Sequence, residues 1–543
     1  MSAAAMAICL FGNLGAIGLV GPDEPRYAWI ARAMAETGDW VTPRLYGQPW
    51  FEKPIFYYWA AAMGFLLHLS AEWAARLPSA SAALAAAMAI ALLARKHYRG
   101  DTNSLSSPEL LAPLLFSTSV AAIGFARAAT PDMLFSASIT LAMACAASVF
   151  RQSGALRAAV PEPGGVRGNT WLLMLFGAFL GMAVLAKGPA AIILAGGAIG
   201  LWAIATKQWR AAIRLAHPLA ITAFCVVALP WYVLCAARNP DFLHVFIWQH
   251  NFERYATPMF EHRQPFWYFG PIVLLALLPW TALLWPAAQE GLRLWREKSW
   301  TNSPGFFFAC WAVVPVLFFS LSQSKLPGYI LPAIPPLALL CSIGAIRVLN
   351  WTAAVSTALV RGLAVTWILL AAAGFHGVRR LVGEHLWSHN TPGHIAVVRS
   401  VPLASLAFAA LIMIAVVLRK RPAIAVPVLA FCLAANVEIV NLGELPALDP
   451  FYSARPHAEF MRNDQRPDRI VTYRLSRGWM FGLDFYFRRE LPEWSADDPI
   501  PALVLTTPDG LERIRKLGRF SGDLEETQPG LVYVPIGPVP GAR

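Results

Sequence analysis

Long apolar runs, interrupted only by short polar clusters, recur along the chain and constrain its folding more than any other feature. A hydrocarbon core about 30 Å thick needs roughly 17 to 25 such residues to form one crossing helix. Charged residues make up only 14% of the sequence, against about a quarter in a soluble domain. A transmembrane barrel would instead alternate over segments of about 10 residues, and no such pattern is present. The fold class is therefore an α-helical polytopic membrane protein.

About thirteen spans satisfy this criterion. They lie near 4–20, 74–94, 109–126, 131–150, 171–186, 188–206, 215–235, 268–289, 305–321, 329–346, 354–375, 401–418 and 423–440. The first run has no basic leader and no convincing cleavage site, so Met1 to Val20 reads as a retained helix. The seven cysteines all fall inside apolar runs without metal spacing, as small packing residues do.

Every second loop is rich in basic residues: Arg95, Lys96 and Arg99, then Arg151, Arg157 and Arg167, then Lys207, Arg210 and Arg214. The short loops between carry Arg127, Lys187 and Lys325 singly. The positive-inside rule makes the rich set cytoplasmic, with the N-terminus inside and the C-terminal part outside. The net charge of +12 thus reflects topology and contact with anionic membrane lipids, not nucleic acid.

One face then collects the amphipathic outer loop 21–73, loops 127–132, 236–267, 322–328 and 376–400, and the tail 441–543. Two domains are expected: a membrane domain over 1–440, and a small soluble α/β domain over 441–543. In the tail, apolar runs shrink to strand length at Arg469 to Leu475, Ala502 to Thr506 and Leu531 to Ile536, with a helical stretch at Pro508 to Lys516. Nucleotide sugars and ATP are cytoplasmic, so chemistry on the outer face needs a donor already in the membrane.

Several outer-face residues have the chemistry of a site. Asp23 and Glu24 close the first span, in Gly21-Pro22-Asp23-Glu24-Pro25-Arg26-Tyr27, and begin an amphipathic stretch. An acid there either caps the helix and complements its dipole or does chemistry at the lipid boundary. Lys53, in Phe51-Glu52-Lys53-Pro54 beside Tyr57, can snorkel or bind a lipid phosphate. Asp132 opens another span after Thr130-Pro131 and has the same two readings as the first acid. Arg238, the stretch His250-Asn251-Phe252-Glu253-Arg254, and Ser322 to Tyr329 with Lys325 interleave cations and aromatic rings, as a phosphate and sugar site requires. Glu52, His250 and His394 can form a divalent site across loops, although the histidines lack tight metal spacing.

In this order these motifs resemble the C-type glycosyltransferase superfamily, in the branch of protein O-mannosyltransferases and lipid A aminoarabinose transferases, over roughly residues 1–440. The Glu-Lys-Pro motif and the small tail are most similar to the aminoarabinose branch. The resemblance implies an enzyme with a donor sugar on undecaprenyl phosphate and a phosphate of lipid A as acceptor, in a bacterial inner membrane with a periplasmic active site. It implies Asp23 as the catalytic acid and Asp132 as the second. Lys53 and Arg238 are expected to stabilise the departing phosphate, with Lys325 and Tyr329 opposite. Glu24, Arg26, Tyr27 and Tyr57 are expected to contact substrate. Some superfamily members use a divalent metal, and the resemblance leaves that open for this chain. An acceptor of another kind, the protein hydroxyl of an O-mannosyltransferase, and a transporter are the competing readings. Transporters place ionisable groups within paired broken spans, whereas these residues gather at span ends and no internal repeat is visible.

Overall fold

The computed structural model describes residues 2–98, 107–156, 170–253, 255, 264–349, 425–463, 469–498, 500–518 and 530–536. Among these, six helices are long and apolar enough to cross a membrane, or up to eight if each of two bent pairs is one span. The chain is thus a multi-pass helical membrane protein. The spans expected at 354–375 and 401–418, and the loop 376–400, lie outside the described residues.

Most of the described spans form where the apolar runs lie. Helices Ala71–His97, Asp132–Gln152, Thr170–Lys187 and Pro218–Arg238 match the expected segments within a few residues. Three expectations change. The run at 4–20 is helical only over Ser2–Phe11. It stops where Gly12 and Asn13 begin a glycine-rich turn, with Asn13 at φ 40°. The run at 109–126 bends by 62° between Pro108–Ser117 and Val120–Ala126. There the Ser119 hydroxyl accepts from the Ala122 amide and caps the second piece. The run at 268–289 is likewise bent by 103°.

Two compact units are defined by internal contacts. The first comprises Met1–Gly12, Phe51–Tyr57 and Pro78–Ile439; the second comprises Asn13–Trp50, Tyr58–Leu77 and Val440–Arg543. In the first unit, Gly177 and Gly181 stand four residues apart on helix Thr170–Lys187, a small-xxx-small face. A Cβ on Gly177 would lie 1.9 Å from the Ala220 carbonyl oxygen, so only glycine lets helix Pro218–Arg238 pack this closely.

The second unit joins the first outer loop to the tail. Arg44–Leu45 and Gln48–Pro49 form a small hairpin, β1 and β2. In the tail, β3 (Ile470–Thr472) runs parallel to β4 (Ala502–Thr506), which pairs antiparallel with β5 (Val532–Ile536). Helix Pro508–Lys516 covers this sheet through Leu511 and Ile514, over a core of Val471, Trp494, Val504 and Val534. Its first turn carries Asp509 and its last Arg513, Arg515 and Lys516, which suits the helix dipole. The Gly18 amide donates to Asp449 (2.8 Å) and the Leu19 amide to the Tyr486 hydroxyl (2.8 Å). Gly18 is required there: a Cβ would lie 2.0 Å from the Ser453 hydroxyl.

Candidate active site

Within the first unit, a cavity of about 300 Å³ opens among the ends of several helices. Its walls are mainly aromatic, including Phe135, Phe246, Phe252 and Phe318. Polar groups converge on it: Glu52, Lys53, Lys187, His250, Ser322 and Tyr329. An apolar cavity with a few convergent polar groups is the usual form of a ligand site.

Local structure explains how these side chains are positioned. Lys53 precedes Pro54 in the loop before helix Phe56–Leu66, and its ammonium lies 3.3 Å from the Glu52 carboxylate. Lys187 is the last residue of its helix; Gly188 follows at φ 97° and the next helix starts at Ala190. The Lys187 ammonium donates to Asp132, the first residue of helix Asp132–Gln152, and lies 4.9 Å from the centre of the Tyr329 ring. Asp132 caps nothing through its side chain; the N-cap is Pro131. Its carboxylate is fixed by Lys187, with Lys53 as a further cation in its surroundings. The ring of Tyr329 is in turn tilted against Phe319 at 4.9 Å. His250 and Phe252 belong to a wide π-helical turn, His244–Glu253, a form that recurs at functional sites.

Other expected members of this group lie elsewhere. Lys325 does not line the cavity: its ammonium donates to the carbonyls of Ser322 (2.5 Å) and Gln264 (3.1 Å), which makes it a loop anchor. Arg238 is exposed at the end of helix Pro218–Arg238 and does not line it either. Tyr57 is buried and off the cavity wall. For a divalent metal the fit is poor. Glu52 already has Lys53 beside it and Asp132 has Lys187. His394 lies outside the described residues, and among those described no three His, Cys, Asp or Glu side chains converge as ligands.

The first outer loop is built in the second unit. Asp23 starts helix Asp23–Thr37 behind Pro22, without a capping hydrogen bond. Its side chain is 54% exposed and accepts from Arg26 at 2.6 Å. Arg26 is buried under the rings of Tyr27, Trp50 and Phe481, so it holds the carboxylate from a rigid socket. Glu24 faces inward and is committed to the fold. It accepts from Arg76 at 2.7 and 3.3 Å and from the Val20 amide at 2.9 Å. Tyr27 is buried edge-on to Tyr58. Of the four residues expected to contact substrate, Glu24, Arg26, Tyr27 and Tyr57 are all interior.

Sequence reasoning counted Lys187 only as a loop charge. The available signal was an ionisable residue between two apolar helices, where a charge is expensive unless it has a partner.

Residues 1–246 match the family model for dolichyl-phosphate-mannose-protein mannosyltransferase. The undecaprenyl phosphate-alpha-4-amino-4-deoxy-L-arabinose arabinosyl transferase of Edwardsiella ictaluri is 34% identical over 319 residues, 59% of this chain and 54% of that protein. The protein of the same description from Erwinia tasmaniensis is 35% identical over 327 residues, 60% of this chain and 55% of that protein. The chain therefore spans little more than half the length of these curated relatives. A solved structure, ArnT from Cupriavidus metallidurans bound to undecaprenyl phosphate, superposes with a TM-score of 0.77 at 23% identity, over 98% of this chain and 97% of that one. The fold is that of this structure, and the resemblance to C-type membrane glycosyltransferases read from the motifs is borne out.

Proposed function

We propose that this chain is a C-type membrane glycosyltransferase that moves 4-amino-4-deoxy-L-arabinose from undecaprenyl phosphate to a phosphate of lipid A at the periplasmic face of a bacterial inner membrane. One observation carries the reading: an aromatic-walled cavity with Lys53 and Lys187 converging on it, suited to a phosphate on a long apolar chain. The names of the relatives and the lipid in the similar crystal structure support the donor. The N-terminus is cytoplasmic in this reading, residues 1–440 carry the transfer chemistry, and 441–543 form a periplasmic domain.

In the reaction an oxygen of the acceptor phosphate attacks the anomeric carbon, and the bond from that carbon to the donor phosphate breaks with inversion. Undecaprenyl phosphate leaves with the bonding electron pair. Fixed cations stabilise the charge that develops on it better than water does, because they need no reorganisation. Lys53 is assigned this role, with Lys187 and Tyr329 beside it; each lysine would exchange its carboxylate partner, Glu52 or Asp132, for the phosphate. An acceptor phosphate is already ionised near neutral pH and needs little base assistance. The resemblance of the motifs, not the lining of the cavity, assigns Asp23 to orient the acceptor or to stabilise positive charge on the sugar.

The test is transfer of labelled sugar from undecaprenyl phosphate by purified protein, with lipid A or a Ser/Thr peptide offered as acceptor. Labelled lipid A, lost in Asp23→Asn and weakened through the donor KM in Lys53→Ala, is the expected result. Labelled peptide would favour a protein O-mannosyltransferase, the reading suggested by the family model over residues 1–246. No transfer to either acceptor would overturn the assignment.

A further inference from the structure

A second cationic centre lies in the second unit, on the opposite side of the Asp23 helix from Asp23 itself. Nine residues separate Asp23 from Arg32 along helix Asp23–Thr37, which at about 100° per residue turns them to opposing faces. The Arg32 guanidinium stacks 4.1 Å from the centre of the Phe485 ring and 5.1 Å from that of Trp29. Among the described residues it has no ion-pair or hydrogen-bond acceptor; Glu36, one turn on, acts on it only at longer range. Burial lowers its pKa to about 10, opposed by Glu36 and reinforced by Arg488 as a like charge.

Arg488, like Lys207, Lys298 and Arg474, is a basic residue at positive φ. It ends helix Arg477–Phe487 in the left-handed region, at φ 57°. Glycine is the ordinary occupant of that position because a Cβ there is strained. Arginine at this cap, three residues after the ring that holds Arg32, places a second positive charge beside it, at a helix end where the dipole also favours a cation. The nearest acid on this helix, Asp484, is turned into the unit, accepting from the Tyr46 hydroxyl and the Leu491 amide.

We propose that Arg32 and Arg488 form an anion-binding site for a phosphate group, separate from the cavity that holds Lys53. Rigid stacking leaves the N–H edges of Arg32 pre-aimed, and guanidinium groups pair bidentately with phosphate oxygens. The phosphate can belong to a lipid headgroup or be free in solution, since both present the same oxygens.

The experiment is calorimetric titration of the full chain in neutral detergent with inorganic phosphate and, separately, with short-chain phosphatidylglycerol. Wild type is expected to bind, and Arg32→Gln and Arg488→Gly are each expected to weaken binding about tenfold or more. Because glycine relieves the strained cap, Arg488→Gly should unfold no earlier than wild type, so its loss of binding cannot be a folding defect. Binding of phosphatidylglycerol alone assigns the site to a headgroup; equal binding of inorganic phosphate assigns it to a free anion. Failure of wild type to bind either, or unchanged binding in both variants, overturns the proposal. Sugar transfer is not part of the readout, so this result stands apart from the transferase assignment.

Discussion

Arg76 is the residue whose loss should damage the first outer loop most. Its guanidinium donates to the Glu24 carboxylate, to the carbonyls of Leu14 and Ile17 (2.7 Å each) and to the Gly18 carbonyl (2.7 Å). It thereby fixes the chain from residue 14 to the start of the Asp23 helix, with side-chain exposures of 4% for Arg76 and 8% for Glu24. Arg76→Met would leave the buried Glu24 carboxylate without this cation, a loss of about 3–5 kcal/mol. Glu24→Gln should cost less, about 1.5–3 kcal/mol, because Arg76 keeps its three carbonyl acceptors and loses one charged partner. In the double variant the stranded charge is gone, so its cost should fall short of the sum by about 1–3 kcal/mol. Tryptophan fluorescence during thermal unfolding in detergent measures all three. An Arg76→Met protein within about 1 kcal/mol of wild type, the value of an exposed pair, would refute the reasoning, and so would strict additivity.

Two further outcomes follow from side chains with fixed partners. His457 accepts from the Tyr533 hydroxyl at Nδ1 (2.7 Å) and donates from Nε2 to the Pro450 carbonyl (2.8 Å); burial lowers its pKa below 6.5. Its contribution to stability is complete above pH 6.5 and is lost as pH falls through the lowered value, so the tail should become protease-sensitive in that window, less steeply in His457→Gln. For Lys325→Met, loss of two carbonyl bonds should lower thermal stability by about 1–3 kcal/mol while leaving the donor KM unchanged. A raised KM would return Lys325 to the phosphate site.

What the sequence disclosed depended on the range of the interaction. Span positions were legible because a hydrocarbon slab imposes length and apolarity residue by residue, and helices such as Asp132–Gln152 obey it. The bend at Ser117 to Ser119 was not, because a capping hydroxyl inside an apolar run leaves hydropathy almost unaltered. At the site, Lys53, His250 and Tyr329 were legible as polar residues among aromatics at span ends, and all three line one cavity. Lys187 and Arg76 were hidden because their meaning comes from partners 55 and 52 positions away, Asp132 and Glu24. Glu24 misled for the same reason: beside Asp23 it looks equivalent, yet a rotation of one residue on the helix turns it into the interior.

Under the transferase reading, exposure separates the two Pro-Asp helix starts into an acid expected to serve the fold and an acid expected to serve chemistry. Asp132 is 18% exposed and is fixed by a lysine equally withdrawn from solvent, at 16%. Asp132→Asn should strand that ammonium and cost about 3–5 kcal/mol. Asp23 is 54% exposed and paired with Arg26 of its own helix, a cation only 6% exposed, so losing its charge should cost about 1.5–3 kcal/mol. Asp23→Asn should therefore lose less stability than Asp132→Asn and yet abolish sugar transfer. Under the transferase reading, activity and stability part company at Asp23 and fall together at Asp132. If Asp23→Asn transfers at the wild-type rate, the chemistry belongs to another group. If it loses as much stability as Asp132→Asn, Asp23 is a structural acid and the distinction drawn from exposure fails.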